Sequence, residues 1–189
     1  TPDRMPHRWM WLWDSCFHSI AMNLLGSIPK PQPGGNKING FIDGVTVSWE
    51  YLKSVLDAAA SDGGIAIQRT PSTAGKTVDQ TQPPLLSWSV WENYKAALKA
   101  CQKLSFGEEA CRATAIDRLQ YAFPRLEGYL RWDIRERSDP SEATPLMSWI
   151  KGTESGMDNS QRFDANVTSP GNVRSMLAVD FSTFFALDS

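Results

Sequence analysis

The sequence predicts an all-α protein, and three observations carry that reading. Apolar residues recur at i, i+3 and i+4 in several segments. Proline, glycine and asparagine gather between those segments more than inside them. The segments alternate with long loops and show no short internal repeat, a pattern that fits stacked helical hairpins.

The first helix is expected from Phe17, Ile20, Ala21, Leu24 and Leu25, with Asp14 or Ser15 as N-cap. Gly26 should end it, and the stretch from Pro29 to Gly44 reads as a long loop. Ser48 is placed to cap a second helix that turns Tyr51, Leu52, Val55, Leu56 and Ala59 inward and stops at Asp62-Gly63-Gly64. Ile65 to Gln68 suits a brief extended piece, and Thr70 to Gln80 a surface loop. Pro83 and Pro84 suit the start of a third helix, carried by Leu86, Val90, Tyr94 and Leu98 to about Leu104. A fourth should begin near Phe106-Gly107, pass through Ala113, Ile116, Leu119 and Tyr121, and kink or break at Pro124 before Leu126, Tyr129 and Leu130. Arg131 to Thr144 then reads as a polar connection, and Val173 to Ala186 as a last apolar segment through Leu177, Phe181, Phe184 and Phe185.

A chain of 189 residues, 41% of them hydrophobic and eight of them tryptophan, can bury a sizeable core. Its formal charge of −2, with both signs interspersed, supplies neither a basic stripe for nucleic acid nor a polybasic membrane patch. No apolar run approaches the roughly 18 residues that span a bilayer, and Thr1 to Trp13 lacks a signal peptide's apolar region. Cys16, Cys101 and Cys111 are an odd set without a CxxC pair, which suggests buried thiols and neither a disulfide framework nor a zinc site. His7 and His18 have no partner at ligand spacing, so no metal site and no cofactor are expected. Asn166-Val167-Thr168 is an N-glycosylation triplet, of consequence only in a secretory pathway, and the compartment stays open.

The stretch Glu154-Ser155-Gly156-Met157-Asp158-Asn159-Ser160-Gln161-Arg162-Phe163, just after Trp149, is where chemistry is expected. A carboxylic acid beside amides, a hydroxyl, a basic residue and an aromatic plate is what acid catalysis on a sugar requires. Asp158 is the candidate acid: partial burial and a hydrogen bond from its protonated form, for instance to the Asn159 amide oxygen, would raise its pKa, whereas Arg162 would lower it. An ordinary polar turn through Ser155, Gly156, Asp158 and Asn159 is the alternative reading of the same residues. Trp9, Trp11 and Trp13 alternate, so an extended lead-in would set them on one face, able to meet the CH side of a pyranose, with Trp149 doing likewise beside the acid.

The segment ESGMDNSQRF resembles the ESGMDNSPRF-type motif of glycoside hydrolase family sixty-three, which includes processing alpha-glucosidase I, bacterial alpha-glucosidases and mannosylglycerate hydrolases. Trp11-Leu12-Trp13-Asp14-Ser15-Cys16-Phe17-His18 is similar to the family's WDS segment, and Thr81-Gln82-Pro83-Pro84-Leu85-Leu86-Ser87-Trp88 to its TQPP segment, in the family's order. The similarity runs, with gaps, from about Trp9 to the C-terminus.

The resemblance implies a toroid of helical hairpins, the (α/α)6 barrel. At this length residues 1–189 would make about its first half, a partial catalytic domain truncated at both ends. It implies an inverting hydrolase of alpha-linked glucosides or mannosides, with an oligosaccharide or small glycoside as substrate. Asp158 would be the general acid, and the general base a glutamate downstream of this chain. Glu154 is too near the acid to bracket a sugar and is expected to support the Asp158 loop. Asp14, otherwise a helix cap, would grip sugar hydroxyls; Gln82, otherwise a capping amide ahead of the prolines, would do the same. Asn159 would steady Asp158 or touch substrate, and Arg162 would bind an acidic group or form a salt bridge. Gln161 departs from the family's proline. A trehalase-like hydrolase, or a non-catalytic carbohydrate-binding or structural remnant, are the competing functions, and the chain alone is expected to turn over little or nothing.

Overall fold

The computed structural model describes residues 9–25, 27–32, 35–69, 78–103, 107–139, 145–157 and 177–189. Its elements in order are strand β1 (Met10–Trp11), helix α1 (Leu12–Leu25), strands β2 (Ser27–Gln32) and β3 (Gly35–Asp43), helix α2 (Gly44–Leu56), strand β4 (Gln68–Arg69), helices α3 (Leu86–Cys101) and α4 (Glu108–Arg137), and helix α5 (Val179–Asp188). A 3-10 turn spans Gly152–Ser155. Helix α1 packs chiefly on α2 and α3 chiefly on α4, and α1 also lies against α3, so the fold is an all-α arrangement of helical hairpins.

Several local expectations change. The Pro29 to Gly44 stretch is not a loop: β2 and β3 pair as an antiparallel hairpin, with Ser27 opposite Asp43 and Ile28 opposite Ile42. The cap of α2 is Asp43 rather than Ser48; its carboxylate accepts from the NH of Val45 and of Thr46, both at 3.2 Å. Ser48 lies inside the helix, where its hydroxyl accepts from Asn93 Nδ2 at 3.0 Å. Leu52, Val55 and Leu56 are buried as expected, yet α2 ends at Leu56, short of Asp62-Gly63-Gly64. Helix α4 continues through Pro124 to Arg137, which replaces the expected break and polar connection. The position is exposed, so water can take the carbonyl that the missing NH leaves open, and tertiary packing of the helix on both sides of Pro124 overrides the local penalty.

The largest correction concerns α1. Phe17, Leu24 and Leu25 face outward, at 46%, 83% and 63% exposure, and the buried face is Leu12, Ser15, Cys16 and Ser19. Small residues let α1 approach its neighbours closely. Its serines escape the penalty of burial by bonding local backbone, Ser15 Oγ to the Trp11 carbonyl at 2.6 Å and Ser19 Oγ to that of Cys16 at 2.7 Å. Helix α1 also begins at Leu12, so Asp14 sits in its first turn instead of capping it, and the extended lead-in ends at Trp11.

Cys101 and Cys111 form a disulfide, with Cα atoms 5.6 Å apart, so the expectation of three buried thiols holds only for Cys16. Spacing alone is a poor guide because the pairing depends on the end of α3 lying beside the first turn of α4. The main core joins Leu12 and Cys16 of α1, Trp49, Leu52, Val55 and Leu56 of α2, Leu86 and Val90 of α3, and Ala122, Tyr129 and Trp132 of α4. A smaller cluster, Met147, Trp149, Ala178 and Phe181, anchors α5 beneath the loop that follows α4. Gly63, at φ +95°, abuts the α4 backbone at Gly128; a Cβ there would lie 2.3 Å from the Gly128 carbonyl oxygen. That close approach requires glycine.

Candidate active site

The three motif segments, far apart in sequence, meet along one seam. Strand β1 pairs with β4, Trp11 opposite Gln68, and the Leu12 NH donates to the Ile67 carbonyl at 3.1 Å. The Ile67 NH in turn donates to the Gln80 carbonyl at 2.9 Å, which lays residues 80–82 beside the lead-in to α1. Gln82 is 3% exposed, and its side-chain oxygen accepts the Trp13 NH at 3.2 Å. It therefore satisfies one of the NH groups that the first turn of a helix leaves open. Gln82 is a capping amide, though for α1 and not for the helix that follows its own prolines.

Thr81 ties the same segment to two others. Its NH donates to Glu154 Oε1 at 2.9 Å, its hydroxyl donates to the Ile65 carbonyl at 2.9 Å, and that hydroxyl lies 2.6 Å from the Tyr129 hydroxyl. Tyr129 also donates to the Gln82 carbonyl at 3.3 Å. Burial, followed by the nearby Asp133, pushes the Tyr129 phenol up, so it stays protonated. Burial likewise raises the free thiol of Cys16 and keeps it from ionising.

The third segment enters through Glu154, which is fully buried. Its Oε1 also accepts from Arg137 Nη2 at 2.7 Å, and its Oε2 accepts from the NH of Ile150 at 2.6 Å and of Lys151 at 2.9 Å. Ser155 Oγ donates to the Gly152 carbonyl at 2.7 Å and accepts the Met157 NH at 3.0 Å. Gly156, at φ +70°, lies under the Trp13 indole so closely that a Cβ would be 2.2 Å from Cζ2. Trp13 and the ESG segment thus touch directly, while Gln82 holds Trp13 from its backbone side.

Of the residues singled out in the sequence, Trp11, Trp13 and Asp14 are half-buried along this seam, and among the described residues the Asp14 carboxylate accepts no hydrogen bond. Trp9 is 40% exposed. Trp149 is corrected: it is fully buried and stacked on Phe181 at 4.2 Å and 7°, so it presents no open face and supports the loop from below. Asp158, Asn159, Gln161 and Arg162 lie outside the described residues, which end at Met157 on this side.

Sequence reasoning missed Arg137, Asp133 and Asp188. Continuing the Tyr129–Trp132 spacing by one more turn would have put Asp133 and Arg137 on the inward face of α4. Asp133 is fully buried, neither carboxyl oxygen has a hydrogen-bond partner among the described residues, and burial pushes its carboxyl well above the ordinary range against the pull of Arg137. Asp188, raised by burial as well, accepts the Trp88 NH at 2.8 Å and so caps α3, whose own N-cap Leu85 supplies no side-chain bond.

The family model for the mannosylglycerate hydrolase MGH1-like glycoside hydrolase domain matches residues 42–182. The chain belongs to that family of glycoside hydrolase domains, and the substrate such a domain implies is a carbohydrate. No curated protein matches the chain. The matched span holds the TQPP and ESGMDNSQRF segments; the WDS segment precedes it and joins them through Gln82 and Gly156. No described helix is long and apolar enough to cross a membrane.

Proposed function

We propose that this chain is the N-terminal part of an (α/α)6 catalytic domain that hydrolyses alpha-linked glucosides or mannosides with inversion, Asp158 being the general acid. The observation that carries this reading is the convergence of Trp13, Gln82 and Gly156, which brings all three sugar-hydrolase motif segments to one place. Asp158 follows Met157 directly in the chain, so the segment that leads to it starts beside the Trp13 ring.

In this reading Asp14 accepts hydrogen bonds from sugar hydroxyls, Trp11 and Trp13 offer aromatic surface to the CH face, and Asn159 steadies the acid or reaches the substrate. Gln82 braces Trp13 through its oxygen, and its amide NH2, bonded to nothing among the described residues, is available to a hydroxyl. Inversion requires a second carboxylate, roughly 6.5–9.5 Å from the first, to activate water on the opposite face. We assign that base to a glutamate beyond residue 189, and residues 1–189 alone are expected to be inactive or nearly so. A mannosylglycerate-like substrate is among the candidates, and membership of a mannosylglycerate hydrolase MGH1-like family supports including it.

The test is hydrolysis of alpha-glucosides, mannosylglycerate and trehalose by the natural-length protein, with product anomer followed by NMR. Inverted product that disappears in Asp158→Asn supports the reading and names the sugar. A folded natural-length protein that hydrolyses none of them would make the binding or structural remnant the better account.

A further inference from the structure

The path of the chain up to Met157 is set by bonds that begin on α4. Glu154 has both carboxylate oxygens occupied twice: Oε1 by Arg137 Nη2 and the Thr81 NH, Oε2 by the NH groups of Ile150 and Lys151. The pair is dry, with the Arg137 and Glu154 side chains 1% and 0% exposed. Arg137 also lies four residues beyond Asp133 on the same helix, the spacing that favours a local ion pair. Its guanidinium nevertheless goes to Glu154, and Asp133 is left without a bonded partner among the described residues.

A buried ion pair is a poor way to gain stability, because desolvation offsets most of the attraction and two apolar side chains would join helix to loop equally well. Its distinctive property is direction: Glu154 accepts from four fixed donors, and the one from Arg137 is a single Nη2 contact on a planar guanidinium whose other reach is to the Glu136 and Asp79 carbonyls at 3.4 Å. Every residue between Glu154 and Asp158 then carries its own constraint, Ser155 through Oγ to Gly152 and from Met157, Gly156 through the Trp13 ring.

We propose that Arg137 and Glu154 are a positioning pair for the general acid: the last turn of α4, acting through Glu154, holds the 155–157 peptide against Thr81 and Trp13 so that the Asp158 carboxyl meets the glycosidic oxygen. The proposal rests on the reading of Asp158 as the acid. Arg137 and Glu154 touch no substrate in it and act only through the loop.

Leaving-group chemistry separates positioning of an acid from a general structural role. Cleaving an alkyl glycoside requires proton donation to the departing oxygen, whereas a 2,4-dinitrophenyl glycoside departs as a stable anion and needs none. In the natural-length enzyme, Arg137→Gln/Glu154→Gln keeps polar side chains of similar size without a stranded charge. It should lower kcat on the alkyl glycoside about 100-fold, with less than about a threefold loss on the dinitrophenyl glycoside and little change in KM for either. Arg137→Lys, which retains the charge but not the planar guanidinium and its contacts to the Glu136 and Asp79 carbonyls, should show the same split at smaller size, and it carries the test if the double variant fails to fold. Asp158→Asn, assayed beside them, should show the split at its fullest.

Equal losses on both substrates, or no loss on either, would overturn the positioning role while leaving Asp158 as the acid if its own variant still splits the two. An Asp158→Asn enzyme that cleaves both substrates at the wild-type rate would remove the acid itself, and the positioning pair with it.

Discussion

At Gly156 the backbone has a left-handed conformation and the Trp13 ring fills the space a side chain would need. Gly156→Ala therefore combines strain at positive φ with an overpacked contact, and a loss of about 2–4 kcal/mol is expected from the two together. Urea melts followed by tryptophan fluorescence would measure it, and a variant as stable as wild type would show that Trp13 does not sit on the glycine. Asp133 makes the opposite case. Its folded pKa is raised, so between the ordinary carboxyl value and that raised value the folded state keeps a proton the unfolded state has lost. Stability from this group is full at acid pH and declines as pH rises above about 4, by up to about 1.4 kcal/mol per pH unit. Asp133→Asn should be at least as stable as wild type at neutral pH, and the difference between the two should widen in its favour from pH 4 upward. Parallel stability curves across that range would mean that Asp133 is not held neutral.

Among the elements, helix ends are secured from unexpected places. Asp43, the last residue of β3, caps α2 with two backbone bonds, so Asp43→Ala should cost about 1 kcal/mol in a thermal or urea melt. A loss no greater than a few tenths would mean that the Asp43 cap contributes little to α2. Helix α3 takes its cap from Asp188, which is 100 residues away from Trp88 in sequence, and no local motif could have announced it. The disulfide joins the end of α3 to the first turns of α4 across a sequence separation of 10. Closing a loop of that size restricts the unfolded chain by about 2–3 kcal/mol in the chain-entropy account. Cys101→Ser/Cys111→Ser should lose about that much, and intact-mass analysis with and without reductant should show two hydrogens gained on reduction. The periodicity that located α1 was real, but it marked the outer face, because Ser15 and Ser19 carry polar atoms that count against burial in a pattern and cost little once bonded to their own helix.

For the whole molecule, the apolar residues left outside are as informative as the core. Phe17, Leu24 and Leu25 line the outer side of α1, and Phe123 and Ile134 border a groove of about 570 Å³ between α4 and α5 that also includes Leu126, Leu130 and Phe185. Apolar surface of this extent favours association. Residues 1–189 on their own should self-associate or bind a hydrophobic dye, as sedimentation and dye fluorescence would reveal; a dye-silent monomer would mean that these faces are tolerated in water.

By itself the sequence determined the helical class, the approximate place of α2, α3 and α5, and the family resemblance of the three segments proposed to bear the chemistry. Those properties are local: they depend on period, on turn-forming residues and on short strings whose residue types suit a sugar. Only the tertiary structure decided which face of α1 is buried, that Cys101 and Cys111 are joined, that Trp149 is walled in by Phe181, and that Gln82 serves Trp13 from a distance of 69 residues. Each of those outcomes depends on a partner remote in sequence, and burial, capping and ion pairing are set by what arrives from elsewhere in the chain. Arg137 shows the difference most directly. It is one more charged residue in a polar run when read along the chain, and the buried partner of Glu154 once α4 has carried it across the seam.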